Sequence, residues 1–157
     1  MKVQQFLDAR GIAFELLPHE PTFSAQRMAQ AVHVCGDNVA KTVLLKADGQ
    51  FVLAVLPASH QIHLEMAREA LAAHWLELAS EPELAKIFSD CEVGAVPPFG
   101  SQYGLETLVD ASLAEDDEIV FEGNAHRQAF RMKYRAYEDL ENPQVAVFAY
   151  HSCEKNK

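Results

Sequence analysis

Positive charge is what this sequence has too little of. Thirteen Lys and Arg stand against 23 Asp and Glu, a formal charge of −10 over 157 residues. A protein that coats nucleic acid needs many cations to displace the counterions of the phosphates, and the charge balance argues against such a protein. Long hydrophobic runs are missing as well: none approaches the roughly 18 to 20 apolar residues of a membrane span. The first ten residues place Gln4, Gln5 and Asp8 where a signal peptide carries its apolar core, which predicts a cytoplasmic protein with no membrane partner. Cys35, Cys91 and Cys153 are odd in number, far apart and form no CxxC pair. Neither a disulfide framework nor a redox motif follows, and each reads as a small buried or neutral side chain. No repeat, linker or low-complexity stretch interrupts a chain that is 49% hydrophobic, so residues 1–157 are expected to form one domain around one core.

Periodicity supplies the elements. Val3, Phe6 and Leu7 recur at helical spacing before Gly11, predicting a short opening helix. Residues 12–17 read as a strand that ends at Pro18 and Pro21. Ser24 is placed to cap a helix over 25–32, closed near Gly36. Residues 38–47 and 50–56 are β-rich runs joined by Asp48-Gly49, a two-residue hairpin signal. Helical spacing covers 64–78 and 81–88, with Pro82 suited to a first turn. Beyond lie a strand leading into Gly94, strands near 105–109 and 118–122, an alternating strand over 126–134, a helical turn at 137–140 and a last strand over 144–150. Hairpin signals dominate and no glycine-rich strand-to-helix turn occurs, so the fold class is α+β, a mixed sheet or partly closed barrel rather than a doubly wound nucleotide binder.

Four features carry chemistry. Lys41 shares a strand face with Val39, Val43 and Leu45; its ammonium is either held in a cleft, where it would grip a phosphate, or snorkels out at a sheet edge. The loop Gly94-Ala95-Val96-Pro97-Pro98-Phe99-Gly100 is either a rigid turn or a preorganised set of backbone donors for a developing oxyanion. In Gly123-Asn124-Ala125-His126 the imidazole reads as a surface turn residue or as a group that positions water, with Asn124 as a hydrogen-bonding partner for substrate. Arg127, Arg131, Lys133 and Arg135 fall on one face of an alternating strand, as a solvated outer face or as a small phosphate-facing stripe. The His60/His63 and His33/Cys35 pairs lack a second pair at zinc-finger spacing, and HExxH, GxSxG and P-loop motifs are missing, so no metal and no cofactor are expected.

The order and spacing of His19-Glu20-Pro21-Thr22-Phe23-Ser24, Asn38-Val39-Ala40-Lys41-Thr42-Val43-Leu44 and Gly94-Ala95-Val96-Pro97-Pro98-Phe99-Gly100 resemble the YbaK/ProX family, that of the bacterial prolyl-tRNA synthetase editing domain and its free-standing relatives. The resemblance runs from about Gly11 to Leu140. It implies a partly barrelled mixed sheet flanked by helices, and a trans-editing deacylase that hydrolyses the ester of a mischarged amino acid at the 3′ end of tRNA. By the same resemblance Lys41 holds the phosphate of the terminal adenosine and Gly94 and Ala95, with the backbone to Pro97, line the reacting carbonyl. His126 shapes the pocket or positions water, Ser24 and Thr42 stand near the substrate, and Arg127, Arg131, Lys133 and Arg135 meet tRNA. Gln128 stands where cysteine-specific members carry an aspartate, which favours a small aliphatic residue such as alanine over cysteine; Thr42 departs from the asparagine of alanine-specific members. The implied partners are the acceptor end of aminoacyl-tRNA and, for delivery, an aminoacyl-tRNA synthetase or elongation factor Tu. The alternative is a module that binds such ends or a synthetase without hydrolysis.

Overall fold

Asp48 and Gly49 both adopt positive φ, 49° and 84°, and reverse the chain between two eight-residue strands. Such a type I′ turn carries the twist that paired strands require. It is the centre of a computed structural model that describes residues 2–22, 24–92 and 94–152. In chain order the described elements are α1 (Val3–Ala9), β1 (Glu15–Pro18), α2 (Ala25–Ala31), β2 (Ala40–Ala47), β3 (Gln50–Pro57), β4 (His60–Ile62), α3 (Leu64–Ala70), β5 (Leu76–Leu78), α4 (Glu81–Ile87), β6 (Glu106–Asp110), α5 (Ala111–Ala114), β7 (Glu118–Glu122), β8 (Gln128–Lys133), α6 (Tyr134–Glu141), β9 (Gln144–Ala146) and β10 (Ala149–His151).

The strands form a five-stranded sheet in the order β5-β2-β3-β6-β9, a three-stranded sheet β1-β8-β7 and a β4-β10 pair. In the larger sheet β2 pairs antiparallel with β3 and β5, while β6 runs parallel to β3 and β9. A bridge between Val39 and Val120 ties the two sheets together at the start of β2. Their shared core is aromatic: Phe99 packs on Phe6, Phe121 and Tyr137, and Phe121 stacks on Phe130. The α+β reading therefore holds, as open mixed sheets with helices at their flanks. Among the described residues no helix is long and apolar enough to cross a membrane.

Several boundaries differ from the sequence pattern. The helix expected over 64–78 stops at Ala70, because Ala72 takes a φ of +53° and the Asp48 carboxylate collects the N–H groups of His74 and Trp75. The freed segment becomes β5, which pairs with β2 from Leu45 to Ala47. The strand expected over 144–150 is two short ones, since Asp110 Oδ1 accepts the N–H groups of Phe148 and Ala149 and breaks the run. The alternating strand ends at Lys133, and Tyr134 opens an eight-residue helix where one turn was expected. The predicted strand leading into Gly94 rests on Val93, which with Phe23 and Cys153 lies outside the described residues; the chain from Gly94 to Phe99 is a loop.

Candidate functional site

The loop after α4 is held at several of its described residues. The Ala95 N–H donates to the Glu92 carbonyl at 3.0 Å, and Asn124 and Glu92 exchange the next contacts, Asn124 N–H to Ala95 O and Glu92 N–H to Asn124 O, each at 2.8 Å. Thr42 Oγ1 donates to the Val96 carbonyl at 3.2 Å from β2, and the buried Tyr137 hydroxyl donates to the Pro98 carbonyl at 2.7 Å from α6. Pro97, Pro98 and Phe99 are buried. A loop so held presents its remaining donors without reorganisation, the property an oxyanion site needs. The Ala95 N–H is spent on Glu92, so Ala95 itself has no amide to offer a carbonyl. The Gly94 and Val96 amides have no acceptor among the described residues.

His126 stands against this loop. It is 5% exposed, not a surface turn residue, and a Cβ added to Gly94 would lie 3.5 Å from its Cε1 and 3.8 Å from its Nε2. The φ of +83° at Gly94 and the ring beside it make glycine the residue for this position. The His126 N–H donates to Glu92 Oε2 at 3.1 Å, and its carbonyl accepts from Thr22 N–H at 3.3 Å. Its Nδ1 is 2.7 Å from Glu122 Oε2. Burial raises the Glu122 pKa above the ordinary carboxylate range; the His126 charge opposes that rise and the Glu92 charge adds to it.

Lys41 belongs to a neighbouring group. Its side chain is half-buried, and Nζ donates to the Ala58 carbonyl at 3.5 Å, which also accepts from Gln26 Nε2 of α2 at 3.1 Å. Burial lowers the lysine pKa. Among the described residues no carboxylate pairs with it. Side chains alternate along a strand, so Lys41 and Thr42 leave β2 on opposite faces, and the loop sits on the Thr42 side. The stretch from Thr22 to Gln26 links the two groups: Thr22 bonds the His126 backbone and Gln26 the carbonyl beside Lys41. Four Cα steps of about 3.8 Å keep the Cα atoms of Thr22 and Gln26 within roughly 15 Å of each other. Ser24 caps α2 by accepting the Arg27 N–H at 3.1 Å, and together with Pro21, Thr22 and Arg27 it lines an open cleft of about 550 Å³.

Two other expected contributors, Asn124 and Arg131, are engaged elsewhere. Asn124, 4% exposed, accepts the Val3 N–H at 2.9 Å through Oδ1 and donates to Cys91 Sγ through Nδ2, so its side chain braces α1 and is not presented to a ligand. The four basic residues do not form one strand stripe: Arg127 precedes β8, Arg131 and Lys133 share a face of it with Arg131 paired to Glu15 at 2.9 Å, and Arg135 rides on α6. Sequence reasoning missed Glu122, Glu92 and Arg27. The i,i+4 spacing of Glu122 and His126 was the available signal, hidden because it runs through a left-handed Asn124, φ 71°, and not along a helix.

The sequence matches the model of the aminoacyl-tRNA editing domain over residues 19–140. It is 26% identical over 147 residues to the Multifunctional Ser/Thr-tRNA deacylase ProXp-y of Escherichia coli K12, covering 90% of this chain and 87% of that one. Over 93 residues it is 30% identical to the proline–tRNA ligase of Bacillus licheniformis, 59% of this chain but only 16% of that enzyme. Among solved structures, hypothetical protein APE2540 superposes with a TM-score of 0.86 at 21% identity, covering 94% of this chain and 99% of that one. A candidate trans-editing enzyme for prolyl-tRNA synthetase superposes with a TM-score of 0.80 at 24% identity, covering 94% of each chain.

Proposed function

Since this chain belongs to the aminoacyl-tRNA editing domain family, we propose that it is a trans-acting deacylase that hydrolyses the ester linking a small, wrongly attached amino acid to the terminal adenosine of tRNA. The observation that carries the reading is the locked loop with Gly94 against the buried His126 ring. Water adds to the ester carbonyl, and the C–O bond to the ribose breaks, releasing the amino acid and a free tRNA hydroxyl. An aminoacyl ester is activated enough to need no covalent nucleophile; donors aimed at the oxyanion and a placed water suffice. The Gly94 and Val96 amides are the donors left for the oxyanion, and the His126 ring stands where water must be oriented.

Lys41 supplies the anchor. A half-buried ammonium that faces a carbonyl oxygen, and no carboxylate among the described residues, gains from an incoming anion, and the terminal phosphate is that anion. Ser24 and Arg27 line an open cleft with Thr22, whose N–H bonds the His126 carbonyl, and Gln26 of the same segment bonds the carbonyl that Lys41 faces. The segment at Gly123 to Gln128 supports an alanine-sized side chain over cysteine, and the name of the Escherichia coli relative brings serine and threonine into the same range. Delivery by a synthetase or elongation factor Tu fits a chain with so few cations of its own.

The test is a panel of tRNAs charged with alanine, serine, threonine and cysteine, each incubated with catalytic and then stoichiometric protein. Multiple turnover on at least one of the small residues, with cysteine the poorest, is expected. Protection of the ester at stoichiometric protein with no turnover would replace the deacylase by a binding module.

A further inference from the structure

Glu122 closes β7 on the face that carries Val120, which packs with Met28, Ala29, Val39, Ala58 and Ala129. A carboxylate 8% exposed at the end of an apolar face needs a partner. The turn that follows returns one: Gly123 is packed so closely that a Cβ would meet Phe130 at 2.2 Å and Val3 at 2.5 Å, Asn124 takes a φ of +71°, and His126 comes back over the strand end. The His126 Nδ1 then lies 2.7 Å from Glu122 Oε2. A nitrogen and an oxygen at that separation are within reach of sharing one proton.

We propose that Glu122 is a positioning residue for His126, keeping the proton on Nδ1 and so turning Nε2, the nitrogen nearer Gly94, into the basic one; the role in turnover rests on the deacylase reading above. The ring nitrogen that carries the proton is chosen by the partner of the other. Here the partner is built into the sheet, and the backbone on both sides of the ring is tied down, by Glu92 Oε2 at the His126 N–H and by Thr22 N–H at the His126 carbonyl. Among the described residues, Glu92, from the stretch after α4, is the carboxylate whose field reaches Glu122. Glu122 does not touch the substrate and acts only through the imidazole.

Two measurements test this. In the wild-type protein, 15N-resolved NMR of the histidine rings near neutral pH should show the His126 Nδ1–H tautomer, and a ring protonated on Nε2 alone would overturn the proposal. This readout needs no substrate, so it stands whether or not deacylation is seen. In Glu122→Gln, which keeps the volume but removes the charge, kcat should fall on the order of 10²-fold while KM holds level, and the ring should populate both tautomers. An unchanged kcat with a shifted tautomer would overturn the role in turnover. A wild-type protein that releases no amino acid from any tRNA on the panel would instead refute the deacylase reading and leave the tautomer assignment in place.

Discussion

Replacing Gly94 by alanine separates the fold from the chemistry. The backbone there has a φ of +83°, a conformation that costs an L-residue about 1–2 kcal/mol. The added methyl would stand 3.5 Å from Cε1 and 3.8 Å from Nε2 of His126, ordinary contact distances that add no clash. Stability should therefore fall by about 1–2 kcal/mol and no more, read as a shift of the urea midpoint at constant slope. The methyl does, however, fill the gap between Gly94 and the ring and covers the loop surface beside which the reacting carbonyl is proposed to sit. We expect kcat/KM on a mischarged tRNA to fall by about 10²-fold, some 2.7 kcal/mol of barrier, measured with protein that is fully folded at the assay temperature. A variant destabilised by the expected amount but as active as wild type would show that the reacting carbonyl does not sit beside Gly94 and His126.

Gly123→Ala is expected to act on the fold alone: its Cβ would enter the Phe130 ring and Val3, so stability should drop by about 3 kcal/mol or the protein should fail to accumulate. A soluble variant with a wild-type urea midpoint would contradict the packing at that turn. Asp116, pushed up to about 6 by burial and by the charges of Asp37, Glu115 and Asp117, binds its proton more tightly folded than unfolded. Its contribution is present below an unfolded value of 3.8 and is lost as pH rises through 6, so Asp116→Asn should raise Tm near pH 8 and leave it unchanged below about pH 4. An equal shift at both pH values would remove that explanation. With two cations, Lys41 and Arg27, facing the substrate, the logarithm of tRNA affinity should fall with the logarithm of salt at a slope of about −1.4, and a slope several times steeper would mean a phosphate-binding surface not described above.

Local chemistry made much of the fold legible. Asp48-Gly49 specifies its own turn, and Ser80 with Glu83 and Pro82 specifies the start of α4, through contacts made within a few residues. Where the sequence pattern misled, the deciding contact came from far along the chain. The helical spacing after Leu64 is overruled by Asp48, 26 residues before His74, and the last strand is cut by Asp110, 38 residues before Phe148. The same holds at the site. The GxxxP loop and His126 were visible as residue types, and the structure brings them into contact. Which donors the loop has left, and that Asn124 is consumed by Val3 and Cys91, depend on partners that no spacing reveals. The stripe of four cations lost Arg135 because a helix starts at Tyr134, whose N–H is taken by the Asp117 carbonyl.

The central claim is that a half-buried lysine and the loop face at His126 serve one substrate. It is tested most directly by Lys41→Ala in multiple-turnover deacylation of the tRNA that wild type cleaves best, beside an unfolding curve of the same protein. The account predicts a loss of kcat/KM of about 10²-fold or more with an unfolding midpoint at or above that of wild type, since the lysine is a desolvated cation with no carboxylate partner. Full activity in a folded Lys41→Ala protein would contradict it.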